Sequence, residues 1–174
     1  EQAYLDHSTL AESVRYYMHE LFGEEGLVVV DADHARLKQQ FSPIIKADLF
    51  DQRSNEIVEK TSARLAEAGY STQVFPRKIN CFYLNGYRER IIAEGGVFKV
   101  NNTDLVFTKE ELENDLNEHP QRYSPNVVMR PVYQEVILPN IAYLGGPSEV
   151  VYWMQLKDNF DHLEVPFPVL LPRN

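Results

Sequence analysis

A glycine-containing turn is the segment of this sequence best suited to bind a ligand. Gly145 and Gly146 follow the apolar residues 141–144, and Glu149 lies in the first turn of the helix predicted after them. Glycine lets the backbone approach a ligand closely, and a helix N-terminus offers free N–H groups and a positive dipole to an anion. The turn lacks the G-x-G-x-x-G and Walker patterns. It therefore predicts either a nucleotide or substrate loop, or an ordinary tight strand-to-helix turn.

A second group of candidate binding residues precedes that turn. Arg130 and Gln134 are four residues apart, so they share one face of the helix predicted there, and Asn126 lies just before them. A planar guanidinium beside an amide suits a carboxylate or a phosphate. The alternative is that Ser124 caps this helix and that Arg130 pairs with Glu135 or with solvent.

Other candidate residues have a common structural explanation. Trp153 follows the glycine turn and either belongs to the core, as most such aromatics do, or lines the site. Asp31 and Asp33 follow an apolar run, where carboxylates can hold a metal or a ribose hydroxyl but more often cap a helix. The five histidines show no metal-ligand spacing, and Cys81 lies in an apolar run typical of a buried thiol. We therefore predict no bound metal and name no catalytic acid, base or nucleophile.

The composition restricts the partners of this chain. Its 174 residues include 17 basic and 26 acidic side chains, for a net charge of −9. Because proteins that neutralise many phosphates are usually basic, we expect no nucleic acid partner, although local arginines can still bind a small anion. No apolar stretch approaches the roughly 20 residues of a membrane-spanning helix. A single cysteine suits the reducing cytoplasm.

Buried apolar runs predict an α/β fold. The runs at 26–31, 141–144 and 169–171 are continuous rather than alternating, which is typical of parallel strands covered on both faces. Helical patterns separate them, as in a Rossmann-like sheet. Because the strands found are few, we expect the chain to carry only part of such a sheet.

The middle of the chain has a different pattern. Residues 70–119 show alternating apolar residues, an Asn-Gly turn at 85–86 and a short acidic helix. Asn-Gly suits a two-residue hairpin turn, so this segment predicts an antiparallel β-rich insertion. The two remaining segments, 1–69 and 120–174, are predicted to form the Rossmann-like core portion.

Two further patterns locate helix ends. The T-x-x-E patterns at 9–12 and 108–111 predict capping boxes. Ser-Pro at 42–43 is a helix start, and the pattern after it predicts one long helix over 43–68.

The chain resembles the bacillithiol biosynthesis cysteine-adding enzyme family over essentially its whole length. The resemblance is highly specific in the last third and modestly specific before it. The runs that carry it are SPNVVMRPVYQE at 124–135, LPNIAYLGGPSE at 138–149 and Tyr-Trp at 152–153, with weaker support at 21–27, 80–84 and 165–168.

This resemblance implies a ligase that joins L-cysteine to the amine of glucosaminyl-malate, the last step towards bacillithiol. It implies a Rossmann-like core with connecting-peptide insertions, and a long coiled coil through which the full-length protein is expected to form a homodimer. By analogy with class I synthetases, ATP with Mg²⁺ would activate the cysteine carboxylate as an adenylate before the amine attacks.

The resemblance also implies roles and a place within a longer protein. Family members are longer and carry a Thr-Gly-His-Gln-type glycine-rich motif that this sequence lacks, so we expect a central part that is inactive alone. The alternatives are a non-catalytic α/β interaction module whose 43–68 helix docks a partner, or an adenylate-forming ligase with another amine. The expected substrate- or nucleotide-binding residues are Asn126, Arg130, Gln134, Gly145, Gly146, Glu149 and Trp153.

Overall fold

The computed structural model describes residues 2–173 and divides at His34 into two compact units. The first unit contains helices α1 (Gln2–Leu5) and α2 (Leu10–Phe22). The capping box predicted before α2 is confirmed: the Thr9 hydroxyl accepts from the Glu12 N–H (3.2 Å), and the Glu12 carboxylate accepts from the Thr9 N–H (3.1 Å). These two bonds satisfy backbone donors that a helix N-terminus otherwise leaves open.

The strand predicted at 26–31 is wrong. Residues 27–31 have no regular structure, and the side chain of Val28 is largely exposed. A strand requires a partner for its N–H and C=O groups, and no segment described in the first unit pairs with this run.

The single long helix predicted over 43–68 is also wrong. The structure has two helices, α3 (Ala35–Phe50) and α4 (Ser54–Glu67), separated where Gln52 takes a left-handed backbone conformation with φ of 53°. Pro43 lies inside α3 instead of starting a helix, because the apolar stripe of α3 begins earlier in the chain. The buried members of that stripe are Phe41, Ile45 and Leu49.

The predicted antiparallel sheet is confirmed and has five strands in the order β4-β3-β2-β1-β5. The Asn85-Gly86 turn joins β1 to β2, and Gly86 supplies the positive φ of 70° that this turn uses. Strand β5 follows the predicted insertion in sequence and pairs with β1, with Cys81 opposite Pro125. The strands are β1 (Cys81–Leu84), β2 (Arg88–Glu94), β3 (Val97–Val100), β4 (Val106–Phe107) and β5 (Tyr123–Pro125).

Two of the predicted parallel strands, at 141–144 and 169–171, are confirmed at the end of the chain. Strands β6 (Ala142–Gly145) and β7 (Val169–Pro172) pair in parallel, and helix α7 (Pro147–His162) connects them. The other helices are α5 (Lys109–Glu118), which begins with the capping box predicted at Thr108, and α6 (Arg130–Ile137). None of the helices described within residues 2–173 combines the length and apolar character that a membrane crossing requires.

Helices α3 and α7 carry the core of the second unit. Phe41 and Leu49 of α3, together with Trp153 and Phe160 of α7, are completely buried. Each such burial stabilises the fold by about 1.5–3 kcal/mol. Cys81 is buried in the same core, as predicted. One face of the β1–β2 hairpin packs into this core, and its opposite face borders a cavity.

Candidate anion-binding site

A cavity of about 620 Å³ lies beside the β1–β2 hairpin, the segment 73–77 and the loop before α6. Four arginines line it, although the whole chain has a net charge of −9. Such a local excess of positive charge favours an anionic ligand despite the overall charge. The lining residues are Gln73, Val74, Phe75, Arg77, Phe82, Arg88, Arg90, Pro125, Asn126, Val127 and Arg130.

The antiparallel hairpin positions two of these arginines. Arg88 and Arg90 are two residues apart on β2, so they share the face opposite the buried Ile91. Phe82 pairs with Arg90 across the hairpin. The guanidinium carbon of Arg88 lies 3.6 Å from the centre of the Phe82 ring, and its Nη2 donates to the Pro125 carbonyl (3.3 Å). These contacts hold the Arg88 side chain at the cavity wall.

None of the four guanidinium groups, those of Arg77, Arg88, Arg90 and Arg130, forms a direct ion pair with a carboxylate of residues 2–173. Guanidinium groups bind carboxylate and phosphate through two parallel hydrogen bonds. The cavity is therefore chemically suited to a ligand with several anionic oxygens.

Asn126 organises the loop that leads to Arg130. Its Oδ1 accepts from the Val128 N–H (2.8 Å) and the Met129 N–H (3.3 Å), while its carbonyl accepts from the Arg130 N–H (2.9 Å). Its Nδ2 donates to Asn80 Oδ1 (3.0 Å). Asn126 thus lines the cavity and orients the first turn of α6; contact of its side chain with a ligand stays a prediction.

Arg130 and Gln134 share one face of α6, as predicted. Arg130 Nη1 donates to Gln134 Oε1 (3.3 Å), and Gln134 Nε2 donates to the buried Glu135 (3.1 Å). The proposed alternative, a direct pair between Arg130 and Glu135, is not formed, because Gln134 bridges them. Gln134 thus holds one side of the Arg130 guanidinium, and Arg130 also lines the cavity.

The glycine turn is tightly packed against Tyr143 and Glu149. A Cβ added at Gly145 would lie 2.9 Å from Tyr143 Cε1 and 3.1 Å from Glu149 Cβ, so only glycine fits there. The Gly146 N–H donates to Glu149 Oε2 (2.8 Å), and the Tyr143 hydroxyl donates to Glu149 Oε1 (3.3 Å). The first N–H at this helix terminus is therefore already occupied by a carboxylate of the chain itself.

Glu149 is electrostatically connected to Arg130. The hydrogen bond from Gly146 lowers the pKa of Glu149, and the Tyr143 hydroxyl and the charges of Arg173 and Arg130 lower it further. Glu149 is consequently ionised at neutral pH. Glu149 and Arg130 therefore lie close enough for their charges to interact.

Of the two neighbouring aromatic residues on α7, Tyr152 reaches the cavity wall. Its hydroxyl donates to the Val127 carbonyl, and burial raises the pKa of Tyr152 while Arg130 opposes that rise. Trp153 is fully buried, with its ring centre 4.3 Å from that of Tyr143. Direct contact of Trp153 with a ligand stays a prediction; its geometry allows it to support Tyr143.

Three of the cavity arginines were missed by sequence reasoning. Arg77, Arg88 and Arg90 lie in or before the hairpin that was predicted only as a β-rich insertion. The Arg-x-Arg spacing at 88–90 on a predicted strand was the available signal, because residues two apart share one strand face.

The remaining candidates do not form a catalytic group. Within residues 2–173, no cluster of three or more His, Cys, Asp or Glu side chains is arranged to hold a metal ion. Burial raises the pKa of the Cys81 thiol, which disfavours the nucleophilic thiolate. In the first unit, Asp31 accepts from the Asp33 N–H (3.2 Å) and pairs with Arg15, so it has local structural partners.

The α/β fold, with its parallel β6–α7–β7 unit, is that of a Rossmann-like domain, and comparison with known proteins identifies its family. The model described as "Bacillithiol biosynthesis BshC, N-terminal Rossmann-like domain" matches residues 1–174. The chain therefore belongs to the BshC family. The matched part is described as the N-terminal domain, where the sequence predicted a central one.

Curated relatives support the same assignment. The chain is 50% identical over 173 residues to the protein named "Putative cysteine ligase BshC" of Flavobacterium psychrophilum, which covers 99% of this chain and 32% of the relative. Proteins of the same name from Flavobacterium johnsoniae and Shouchella clausii are 46% and 38% identical. These two matches cover 100% and 99% of this chain and 33% of each relative. The chain thus spans about a third of the length of these relatives.

Proposed function

We propose that this chain supplies the anion-binding wall of a ligase that joins L-cysteine to the amine of glucosaminyl-malate in bacillithiol biosynthesis. Membership of the BshC family and the names of the relatives support the ligase. The observation that carries the proposal is the cavity with four guanidinium groups that lack a carboxylate partner among the described residues. The malate part of the amine substrate carries carboxylates, which arginines bind in pairs of hydrogen bonds.

Arg130 and Glu149 have the charges that a free amino acid requires. Cysteine at neutral pH carries a carboxylate and an ammonium group, and a guanidinium near an ionised carboxylate complements both. The Gln134 side chain accepts a hydrogen bond from the Arg130 guanidinium and so restricts its orientation. We therefore assign Arg130 and Glu149 to cysteine, and Arg77, Arg88 and Arg90 to the anionic groups of the second substrate or of a nucleotide.

ATP with Mg²⁺ is proposed as the co-substrate on family grounds. The guanidinium groups of Arg77, Arg88 and Arg90 fit phosphate as well as carboxylate. When bound, ATP would supply activation of the cysteine carboxylate, and the arginines of this chain would bind and orient its phosphates.

The rest of the longer protein is proposed to be necessary for catalysis. This chain spans about a third of its relatives, and the cavity residues described here bind and orient rather than transfer protons. The homodimer formed through a coiled coil and the reducing cytoplasm stay proposals of the same kind. The long helix that motivated the interaction-module alternative is not formed, since α3 and α4 are separate.

Cysteine ligation by the protein at the length of its relatives tests this proposal. The assay combines L-cysteine and glucosaminyl-malate, with and without ATP, and includes other sugar amines to distinguish a ligase with another amine substrate. We expect Arg130→Ala to lower turnover by about 10- to 100-fold, the effect of losing a hydrogen bond to a charged group.

A matched arginine variant controls for loss of charge or fold. Arg64→Ala removes an exposed guanidinium that does not line the cavity and pairs with Asp158 at 2.6 Å. Arg64→Ala is expected to leave turnover within twofold of the unaltered protein. Equal turnover in the two variants would show that Arg130 takes no part in the reaction.

A further inference from the structure

Beneath the cavity, Asp48 of α3 and Asn80 form a completely buried polar pair. Their exposed fractions are 1% and 0%. The Asn80 N–H donates to Asp48 Oδ2 (2.6 Å), and Asn80 Nδ2 donates to Asp48 Oδ1 (3.1 Å). Because a buried carboxyl is costly unless it is hydrogen bonded, this pair strongly fixes the conformation of Asn80.

The other polar atoms of Asn80 hold the two segments that carry cavity arginines. Asn80 Oδ1 accepts from the Arg77 N–H (3.0 Å), and Asn80 Nδ2 donates to the Arg77 carbonyl (2.7 Å). On the other side, Asn80 Oδ1 accepts from Asn126 Nδ2 (3.0 Å), and the Asn80 carbonyl accepts from the Asn126 N–H (2.8 Å). Asn126 in turn accepts from the Arg130 N–H. Asn80 thus links the backbone of Arg77 directly, and that of Arg130 through Asn126.

We propose that Asp48 and Asn80 are positioning residues of the anion site. Asp48 fixes the conformation of Asn80, and Asn80 sets the spacing between the segments of Arg77 and Arg130. This inference rests on the proposed anion-binding function of the cavity. A positioning role differs from a purely structural one in its consequence. A variant of Asp48 should lose anion affinity, whereas an equally destabilised variant elsewhere in the protein should keep it.

The protonation of Asp48 gives a second readout of the same role. Burial raises the pKa of Asp48 to about 7, against the hydrogen bonds from Asn80. The ionised carboxylate accepts two hydrogen bonds from Asn80, whereas the protonated carboxyl accepts less strongly. The Cys81 thiol of β1 also interacts with Asp48, but burial raises its pKa, so it stays neutral. Of the residues described by the structure, no histidine lines the cavity.

Sulfate binding to the full-length protein, measured by calorimetry at pH 6 and pH 8, tests the proposal. Sulfate carries the same charge at both pH values and requires no turnover. We expect sulfate to bind the unaltered protein more tightly at pH 8. The isosteric Asp48→Asn variant, which loses one acceptor, is expected to bind about 5- to 10-fold more weakly at pH 8, the effect of one hydrogen bond. Its affinity should be the same at both pH values.

Asp115→Asn is the matched control. Asp115 is a largely buried carboxylate that accepts from Tyr123 (3.0 Å) and Arg122 (2.5 Å) and does not line the cavity. We expect this variant to lose thermal stability but to keep its sulfate affinity. Unchanged affinity in Asp48→Asn, with a similar loss of stability in both variants, would overturn the proposal.

The positioning role can be tested even if Asp48→Asn does not fold or if the protein is not a cysteine ligase. If Asp48→Asn does not fold, Asn80→Ser tests the same link, because it removes the side-chain bonds to Asp48 and Asn126 without a change of charge. Unchanged sulfate affinity in Asn80→Ser would contradict the positioning role. If the protein does not ligate cysteine but sulfate binding depends on Asp48 as expected, the ligase is wrong and the positioning role stands.

Discussion

The Glu149 carboxylate performs two functions in this structure. It accepts from the Gly146 N–H and thereby closes the N-terminus of α7, and it places a negative charge in the neighbourhood of Arg130. A free anion at this helix terminus would have to displace Glu149. The glycine turn is therefore better suited to bind a cationic group than the phosphate that a glycine-rich turn at a helix N-terminus usually accommodates.

Gly145→Ala is expected to destabilise the protein by about 1–3 kcal/mol, as overpacking does. The new Cβ would lie 2.9 Å from Tyr143 Cε1, and the Tyr143 ring packs against the buried Trp153 and cannot move freely. Urea denaturation measures this effect. Gly146→Ala is the control, since its Cβ would meet only Glu149 Oε2 at 3.5 Å and Arg173 Nη2 at 3.7 Å. Equal stabilities of the two variants would contradict the packing described here.

Among the elements, the β1–β2 hairpin contributes most to the site. The Asn-Gly turn and the alternation of residues made this hairpin predictable, as was the shared face of Arg130 and Gln134 on α6. The pairing of β1 with β5 was not predictable, because Cys81 and Pro125 are far apart in sequence and no local period encodes their register. That pairing brings the loop before α6 beside Arg88, so the arginine cavity could not be derived from either segment alone.

The incorrect predictions have a similar cause. The apolar run at 26–31 satisfied the local criteria for a buried strand, but a strand is stable only with a partner. The break between α3 and α4 depends on the positive φ of Gln52, which could not be predicted because glutamine rarely adopts a positive φ.

The capping box of α5 gives a prediction at the scale of an element. The Thr108 hydroxyl accepts from the Glu111 N–H (3.2 Å), and this bond satisfies a donor at the helix start. Thr108→Ala is expected to lower the free energy of unfolding by about 1 kcal/mol, whereas Thr108→Ser keeps the acceptor and loses much less. Chemical denaturation of both variants provides the measurement; an equal loss in both would show that the hydroxyl is not the stabilising group.

For the whole molecule, the buried Asp48 predicts how stability depends on pH. Its folded-state pKa of about 7 is above the ordinary value of 3.8, so the folded protein binds more protons than the unfolded chain between these values. The contribution of Asp48 to the free energy of unfolding is therefore largest at low pH. It decreases by up to about 4 kcal/mol as the pH rises to 7. Urea denaturation between pH 5 and pH 8 should show about 2–3 kcal/mol of this decrease in the unaltered protein and a flatter profile in Asp48→Asn. A profile that rises with pH over this range in the unaltered protein alone would contradict the assignment.

The affinity of the full-length protein for glucosaminyl-malate and for ATP, compared between Arg90→Ala and Arg64→Ala, tests the central claim most directly. Arg90 faces the cavity from β2, whereas Arg64 lies on α4 outside it. The anion-binding role predicts that Arg90→Ala weakens binding of at least one of the two by about 10-fold or more, as expected for a hydrogen bond to a charged group, while Arg64→Ala leaves binding unchanged. Unchanged binding of both glucosaminyl-malate and ATP in Arg90→Ala, with the protein folded, would contradict it.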